Sequence, residues 1–199
     1  GGALFSVLNA MFAETPDSVA LLLGVVFCGL ASMNSMTAPS VSLEGKSLWL
    51  LQSLPVEPWQ IFRAKIRMQL LLTGLPMLLC IVCTAAVYPL HPMRLLALLL
   101  FEGSFVLLMA LVGLFFGVKM PTLTWTSEIV PIKQGGAVML TLFGGFGYIV
   151  LLFAGFMLLP GWILGFCRYM SCFVAANLFL SVLAYLWLRK KGVARFSAL

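Results

Sequence analysis

The chain has 199 residues, 62% of them hydrophobic and 9% charged, with a formal net charge of +6 and a mean hydropathy of +1.11. A soluble domain wets its surface with about 25% charged residues, so a water-soluble globular fold is excluded. A transmembrane β-barrel is excluded as well, because it alternates polarity over ~10-residue segments and no such segments occur.

What remains is an all-α, polytopic bundle of transmembrane helices, a single membrane domain over 1–199. The chain opens on Gly1-Gly2 without an initiator Met, and residues 1–13 read as a truncated N-terminal span whose start is missing. No signal-peptide n-region or cleavage site is visible. After an acidic turn (Glu14, Pro16, Asp17) come long charge-free runs. There are 26 uncharged residues between Asp17 and Glu44, 26 between Arg67 and Arg94, 34 between Lys133 and Arg168, and 20 between Arg168 and Arg189. About 20 apolar residues cross the hydrocarbon as a helix. Five full spans are therefore predicted, over about 18–37, 68–89, 95–118, 136–159 and 169–188. Their connections are a linker 38–67, a turn at His91-Pro92, a polar stretch 119–135, a turn at Pro160-Gly161 and a basic tail from Arg189.

Lys and Arg are retained on the cytoplasmic side of a membrane protein. Lys46, Arg63, Lys65 and Arg67 lie in the linker, Lys119 and Lys133 in the polar stretch, and Arg189, Lys190, Lys191 and Arg195 in the tail. These are ten of the twelve basic residues; Arg94 and Arg168 are left for the outer face, with Glu14 and Asp17. The expected orientation places the C-terminus in the cytoplasm and the 14–17 turn outside. The positive charge then answers to topology and anionic headgroups, not to nucleic acid.

In the linker, Pro39 and Pro55 bracket a helix-sized piece. At 100° per residue, Leu50 and Leu54 fall within about 20° of Leu43, while Lys46, Gln52 and Ser53 lie together to one side of them with Trp49 among them. Such a piece suits either an amphipathic helix lying at the headgroups or a docking helix for a cytoplasmic partner.

The linker stretch "APSVSLEGKSLWLLQSLPV", followed by "PWQIFRAK", resembles permease subunits of bacterial ABC-2-type transporters. The later stretch "MPTLTWTSEIVPIKQG" is similar to that family's next cytoplasmic loop, with Trp125, Glu128, Lys133 and Gln134 at matching places. The resemblance implies the C-terminal half of a multi-pass plasma-membrane permease, paired with a separate cytoplasmic ATP-binding subunit that holds ATP and Mg. Segments 42–54 and 122–134 would take up that partner's motion, with Leu43, Glu44, Gly45, Lys46, Trp49, Trp125, Glu128, Lys133 and Gln134 as partner-coupling candidates. A homodimer and a second permease both remain open as further pairings, and export is the direction it favours.

The chain carries no G-x-x-x-x-G-K-[ST] phosphate cradle, so no cofactor is expected in it. Gly113, Gly117 and the Ala137, Thr141, Gly145 ridge suit close helix packing. Pro76, with Gly74, is expected to kink its span. Cys80-x-x-Cys83 has zinc-like spacing but sits within an apolar run, where small apolar packing accounts for it; no metal site is expected. His91 is the single His, so His-based catalytic schemes lack members, and no catalytic residue is assigned. Glu102 is the one ionisable residue well inside a predicted span, about 10 Å in. It is either an intramembrane functional carboxylate or a shallow partner of Arg94 or Arg168. Against the permease reading stand an ATP-independent, ion-coupled carrier using Glu102 and a non-transporting membrane immunity or sensory protein.

The charge distribution generates a labelling prediction. In a background without the native Cys, single Cys at Ser47, Lys133 and Ser197 will be shielded from impermeant thiol reagents in intact cells. Cys at Thr15 and Gly161 will be labelled. External labelling at Ser47 reverses the orientation.

Overall fold

In hydrocarbon a backbone must satisfy its own polar groups, and a helix does so within one segment. The computed structural model describes residues 16–45, 47, 50, 53, 55–87, 91–123, 125, 127, 129–158 and 165–198, and the elements among them are all helical. They are α1 (Pro16–Met33), α2 (Thr37–Leu43), α3 (Pro58–Val87), α4 (Pro92–Lys119), α5 (Gly136–Leu158), α6 (Phe166–Trp187) and α7 (Val193–Ser197). Wide π-helical turns at Val130–Gln134 and Leu188–Gly192 lead into α5 and α7. Among the described residues, five segments are long and apolar enough to cross a membrane: Ala20–Leu43, Pro58–Val87, Pro92–Lys119, Val130–Phe156 and Phe166–Ser197. The protein is an all-α transmembrane bundle. The truncated N-terminal span expected over 1–13 lies outside the described residues.

α4 is the central helix. Its most apolar window is 56% buried, against 17–44% in the other four, and α1, α3, α5 and α6 all pack on it. A helix surrounded in this way can be apolar on every face. α4 starts cleanly: His91 caps it by accepting the Met93 N–H on Nδ1 at 3.3 Å, and Pro92 opens the first turn, where its missing N–H costs nothing. Around α4 the core has two parts. Leu21, Cys28, Phe101, Phe105, Leu152 and Met170 belong to one; Val41, Phe62, Leu111, Leu114, Leu188 and Phe196 fill the end bearing most of the basic residues.

The first span departs from expectation. An unbroken helix over 18–37 followed by a linker is predicted; instead α1 stops at Met33, residues 34–36 are non-helical, and α2 carries the apolar segment on to Leu43. Pro39 lies inside α2; the rest of the piece expected up to Pro55 falls largely outside the described residues. Asn34 and Ser35 favour such a break because their short polar side chains compete with helical hydrogen bonding. Gln69 of α3 satisfies the freed groups. Its Oε1 accepts the N–H groups of Met36 (2.6 Å) and Thr37 (3.2 Å), and its Nε2 donates to the Asn34 carbonyl and to Thr73 Oγ1 (2.8 Å). Asn34 Nδ2 also reaches Thr73 Oγ1, at 3.2 Å. On the other side, Gly113 of α4 lets the break come close: a Cβ there would stand 2.5 Å from Thr37 Oγ1 and 3.1 Å from Ser35 Oγ. Ala137, Thr141 and Gly145, the expected small-residue ridge, are all buried.

Two further boundaries differ. α3 begins at Pro58, not near 68, because Pro58 starts a helix well and Phe62, on its second turn, is fully buried. α3 then runs without interruption through Pro76 to Val87. The residues from Arg189 are not a loose basic tail. They continue as helix, and Phe196 is buried with its ring edge-on to Phe62 at 5.3 Å between centroids. Arg195 Nη2 donates to the Lys119 carbonyl at 3.1 Å, so α7 is tied to the end of α4.

The account of the break generates a stability prediction. Gln69→Leu keeps the volume but strands the Thr37 N–H in a buried site, which costs roughly 2 kcal/mol or more with the other lost bonds. A lower unfolding midpoint in detergent is expected for Gln69→Leu and for Gly113→Ala. A wild-type midpoint in Gln69→Leu contradicts this role for the side chain.

Candidate functional site

Beyond the break, α2 meets the stretch following α4 through Ser42. Ser42 Oγ accepts the Thr122 N–H at 3.0 Å, and the Ser42 carbonyl accepts the Trp125 indole N–H at 2.8 Å. Glu44, next along, pairs with Lys65 of α3 at 2.6 Å, and Lys65 Nζ also donates to the Ser40 carbonyl at 3.1 Å. Gly45 then passes so near the 121–123 backbone that a Cβ would lie 2.9 Å from the Leu123 carbonyl oxygen. α2 also packs against the π-helical turn Val130–Gln134. Segments widely separated in the chain therefore form one patch at the basic-rich end of the bundle.

The patch gathers Leu43, Glu44, Gly45 and Trp125, all partly buried. Their polar groups turn inward, holding the patch together. Lys133 and Gln134, on the π-helical turn, are exposed, as is Ser47. Lys46, Trp49 and Glu128 lie outside the described residues. The Glu44–Lys65 side chains are 25% and 12% exposed, drier than a surface pair, so removal of one partner leaves a charge in a poor solvent. Glu44 Oε2 is buried and has no hydrogen-bond partner among the described residues.

Beside the patch lies a cavity of about 360 Å³, bounded by Ser32, Asn34, Ser35, Pro39, Leu43 and Ile132 among others. Ser35 Oγ and Thr37 Oγ1 are buried at the break without a hydrogen-bond partner among the described residues. The polar group Asn34, Ser35, Thr37, Gln69 and Thr73 was not singled out from the sequence. Its signal was present: Asn34 and Gln69 are amides inside charge-free runs, where a neutral polar residue still needs a partner.

Glu102 lies apart from this patch, about 15 Å along α4 from its start at 1.5 Å per residue. It is 1% exposed, and Oε1 accepts from Cys28 Sγ of α1 at 3.7 Å. Oε2 has no hydrogen-bond partner among the described residues. Arg168 is exposed, and the described ion pair is Glu44–Lys65. The geometry thus gives Glu102 a thiol neighbour in the core. Two residues further along α4, Ser104 Oγ accepts from Asn177 Nδ2 (3.2 Å), and Asn177 Oδ1 accepts from Tyr148 (2.7 Å), linking α4, α6 and α5. All five Cys are free thiols, Cys80 half-buried and Cys83 exposed.

A double-mutant cycle checks the bracing of the patch. Lys65→Met alone will destabilise the detergent-solubilised protein by about 1–3 kcal/mol, the cost of leaving a charged hydrogen-bond partner unmet. Adding Glu44→Gln will recover part of that loss, since the residues touch and must couple. Strict additivity would mean that the pair braces nothing. No protein-family model, curated protein or solved structure matches the chain. The roles of the patch and of Glu102 therefore rest on their chemistry.

Proposed function

We propose that the chain is a transmembrane permease subunit of an ABC-2-type transporter in a bacterial inner membrane. A separate cytoplasmic subunit binds and hydrolyses ATP, and this chain converts that subunit's motion into substrate movement, in the direction of export. The observation that carries the proposal is the joining of the two resembling stretches into one patch: Ser42 and Trp125, 83 positions apart, are hydrogen-bonded. A push on a patch built this way reaches α1 through α2, α3 through the Glu44–Lys65 pair, and α4 and α5 through the segments flanking Trp125. The residues it leaves exposed, Lys133 and Gln134, are suited to meet a partner. Most of the Lys and Arg residues gather at the same end, which under the positive-inside rule is the cytoplasmic one.

The test is co-purification. The full-length protein, solubilised in detergent, will retain an ATP-binding subunit. Trp49→Ala and Lys133→Ala/Gln134→Ala will weaken retention at matched expression. Loss of an interface hot spot costs ~2 kcal/mol, which is roughly 30-fold in affinity. Absence of any ATP-binding subunit from the wild-type preparation refutes the proposal.

One observation favours a second reading, the ion-coupled carrier: Glu102 is a buried carboxylate with an unmet oxygen. Intramembrane carboxylates mark ion and proton paths. Glu102→Gln keeps the shape and removes the charge. Under the carrier reading transport collapses at normal protein level, with no need of ATP; under the permease reading ATP remains necessary.

A further inference from the structure

α3 and α6 both pack on α4 and meet each other at one end, where the Trp59 and Tyr185 rings stand edge-to-face with centroids 5.1 Å apart. Beyond that contact a groove of about 320 Å³ opens between them. Its floor includes Leu107 and Leu111 of α4; its walls carry Arg63 and Arg67 of α3 and Ser181 and Tyr185 of α6. α3 runs away from the basic-rich end while α6 runs toward it. Arg63 and Ser181 each lie four residues from the Trp59–Tyr185 contact, about 6 Å along their helices, and so sit at one depth.

Three features of this groove lack an internal explanation. Arg63 and Arg67 are exposed, one helical turn apart, and neither has an ion-pair or hydrogen-bond partner among the described residues. Two like charges at this spacing repel each other. Ser181 is 3% exposed, yet its hydroxyl is unpartnered. A membrane-helix Ser or Thr ordinarily returns its hydroxyl to the carbonyl four residues back. Ser171 does so to Cys167 at 2.7 Å, and Thr84 to Cys80 at 2.8 Å. Ser181 instead lines the groove.

We propose that this groove is a binding site for one anionic phospholipid. Arg63 and Arg67 hold the phosphate, for which a guanidinium offers paired N–H donors. The Ser181 hydroxyl, level with Arg63, donates to an oxygen of the same headgroup, and an acyl chain lies along Leu107 and Leu111. Lipid is the occupant because the groove opens sideways between two membrane-crossing helices and its floor is apolar. An anionic headgroup is selected because the two cations have no neutralising partner within the described protein, and each basic residue at the membrane surface adds to attraction for such lipids. Tyr185 and Trp59 close the groove toward the headgroup level, where amphipathic rings are at home.

The experiment is native mass spectrometry of the full chain released from detergent, titrated with phosphatidylglycerol or with phosphatidylcholine of the same acyl chains. Wild type will hold one phosphatidylglycerol at least tenfold more tightly than phosphatidylcholine. Arg63→Gln/Arg67→Gln will lose that preference, while Arg189→Gln/Lys190→Gln, altering exposed cations of the π-helical turn, will keep it. Val182→Trp places bulk in the groove from an exposed position without changing charge, and it will also lose the bound lipid. It decides the matter if the arginine variant misfolds. Equal affinity for both lipids, retention of phosphatidylglycerol by Val182→Trp, or equal loss in the Arg189/Lys190 variant overturns the proposal. So does a second copy of the chain occupying the groove in place of lipid.

Discussion

Three residues of non-helical backbone inside an apolar segment must find their hydrogen bonds within the protein, and Gln69 supplies most of them. Each unmet N–H or C=O inside a membrane protein is costly. Because Gln69 binds the N–H groups of Met36 and Thr37 and the carbonyl of Asn34, the helix can be interrupted between α1 and α2. Beyond the interruption, α2 and the residues after it carry Ser42 to Thr122 and Trp125, and Glu44 to Lys65. A hydrogen-bond requirement at 34–36 is thus transmitted, through one short helix, to the surface where a partner is proposed to act.

The centrality of α4 has the opposite effect on the outer helices. α1, α3, α5 and α6 all pack on α4, α1 and α5 also on each other, and they present long apolar faces outward, among them Leu71, Leu75, Phe143, Val150 and Phe179. Helices arranged around a common core need not close on one another. Two such gaps hold cavities, one of about 320 Å³ between α3 and α6 and another of about 650 Å³ edged by α4, α5 and α6. In lipid, where apolar faces gain little by associating, such gaps are tolerated. The links across them, the Tyr148–Asn177 hydrogen bond and the Trp59–Tyr185 ring contact, then matter for where each outer helix sits.

Charge told the spans and hid the break. The charge-free runs located four of the five crossing segments, since an ionised side chain is costly in hydrocarbon whatever surrounds it; Glu102 interrupts the fifth. Asn34, Ser35 and Gln69 carry no charge, so they left no mark on the charge pattern even though they interrupt the helix and satisfy the interruption. Whether an amide ends a helix depends on an acceptor or donor 33 to 35 positions away, and that is tertiary information. The same holds for the tail: Phe196 alone among basic residues signals little until Phe62 is seen beside it. At the patch, motif resemblance brought forward Glu44, Gly45 and Trp125, but their inward-facing roles emerge only from the geometry. Gly45 exists to admit the Leu123 carbonyl, and Glu44 answers Lys65. Glu102 was legible as an oddity from sequence; its Cys28 neighbour was not, because the two are 74 positions apart.

The most direct measurement of the central constraint is hydrogen exchange at the Met36 and Thr37 amides of the detergent-solubilised protein. With Gln69 Oε1 as their acceptor, both amides will exchange far more slowly than an open loop, and Gln69→Leu will bring them close to the rate of unprotected backbone while α4 stays protected. Fast exchange at both positions in the wild type, or unchanged protection in Gln69→Leu, would show that the break is held by something else and that Gln69 does not satisfy it.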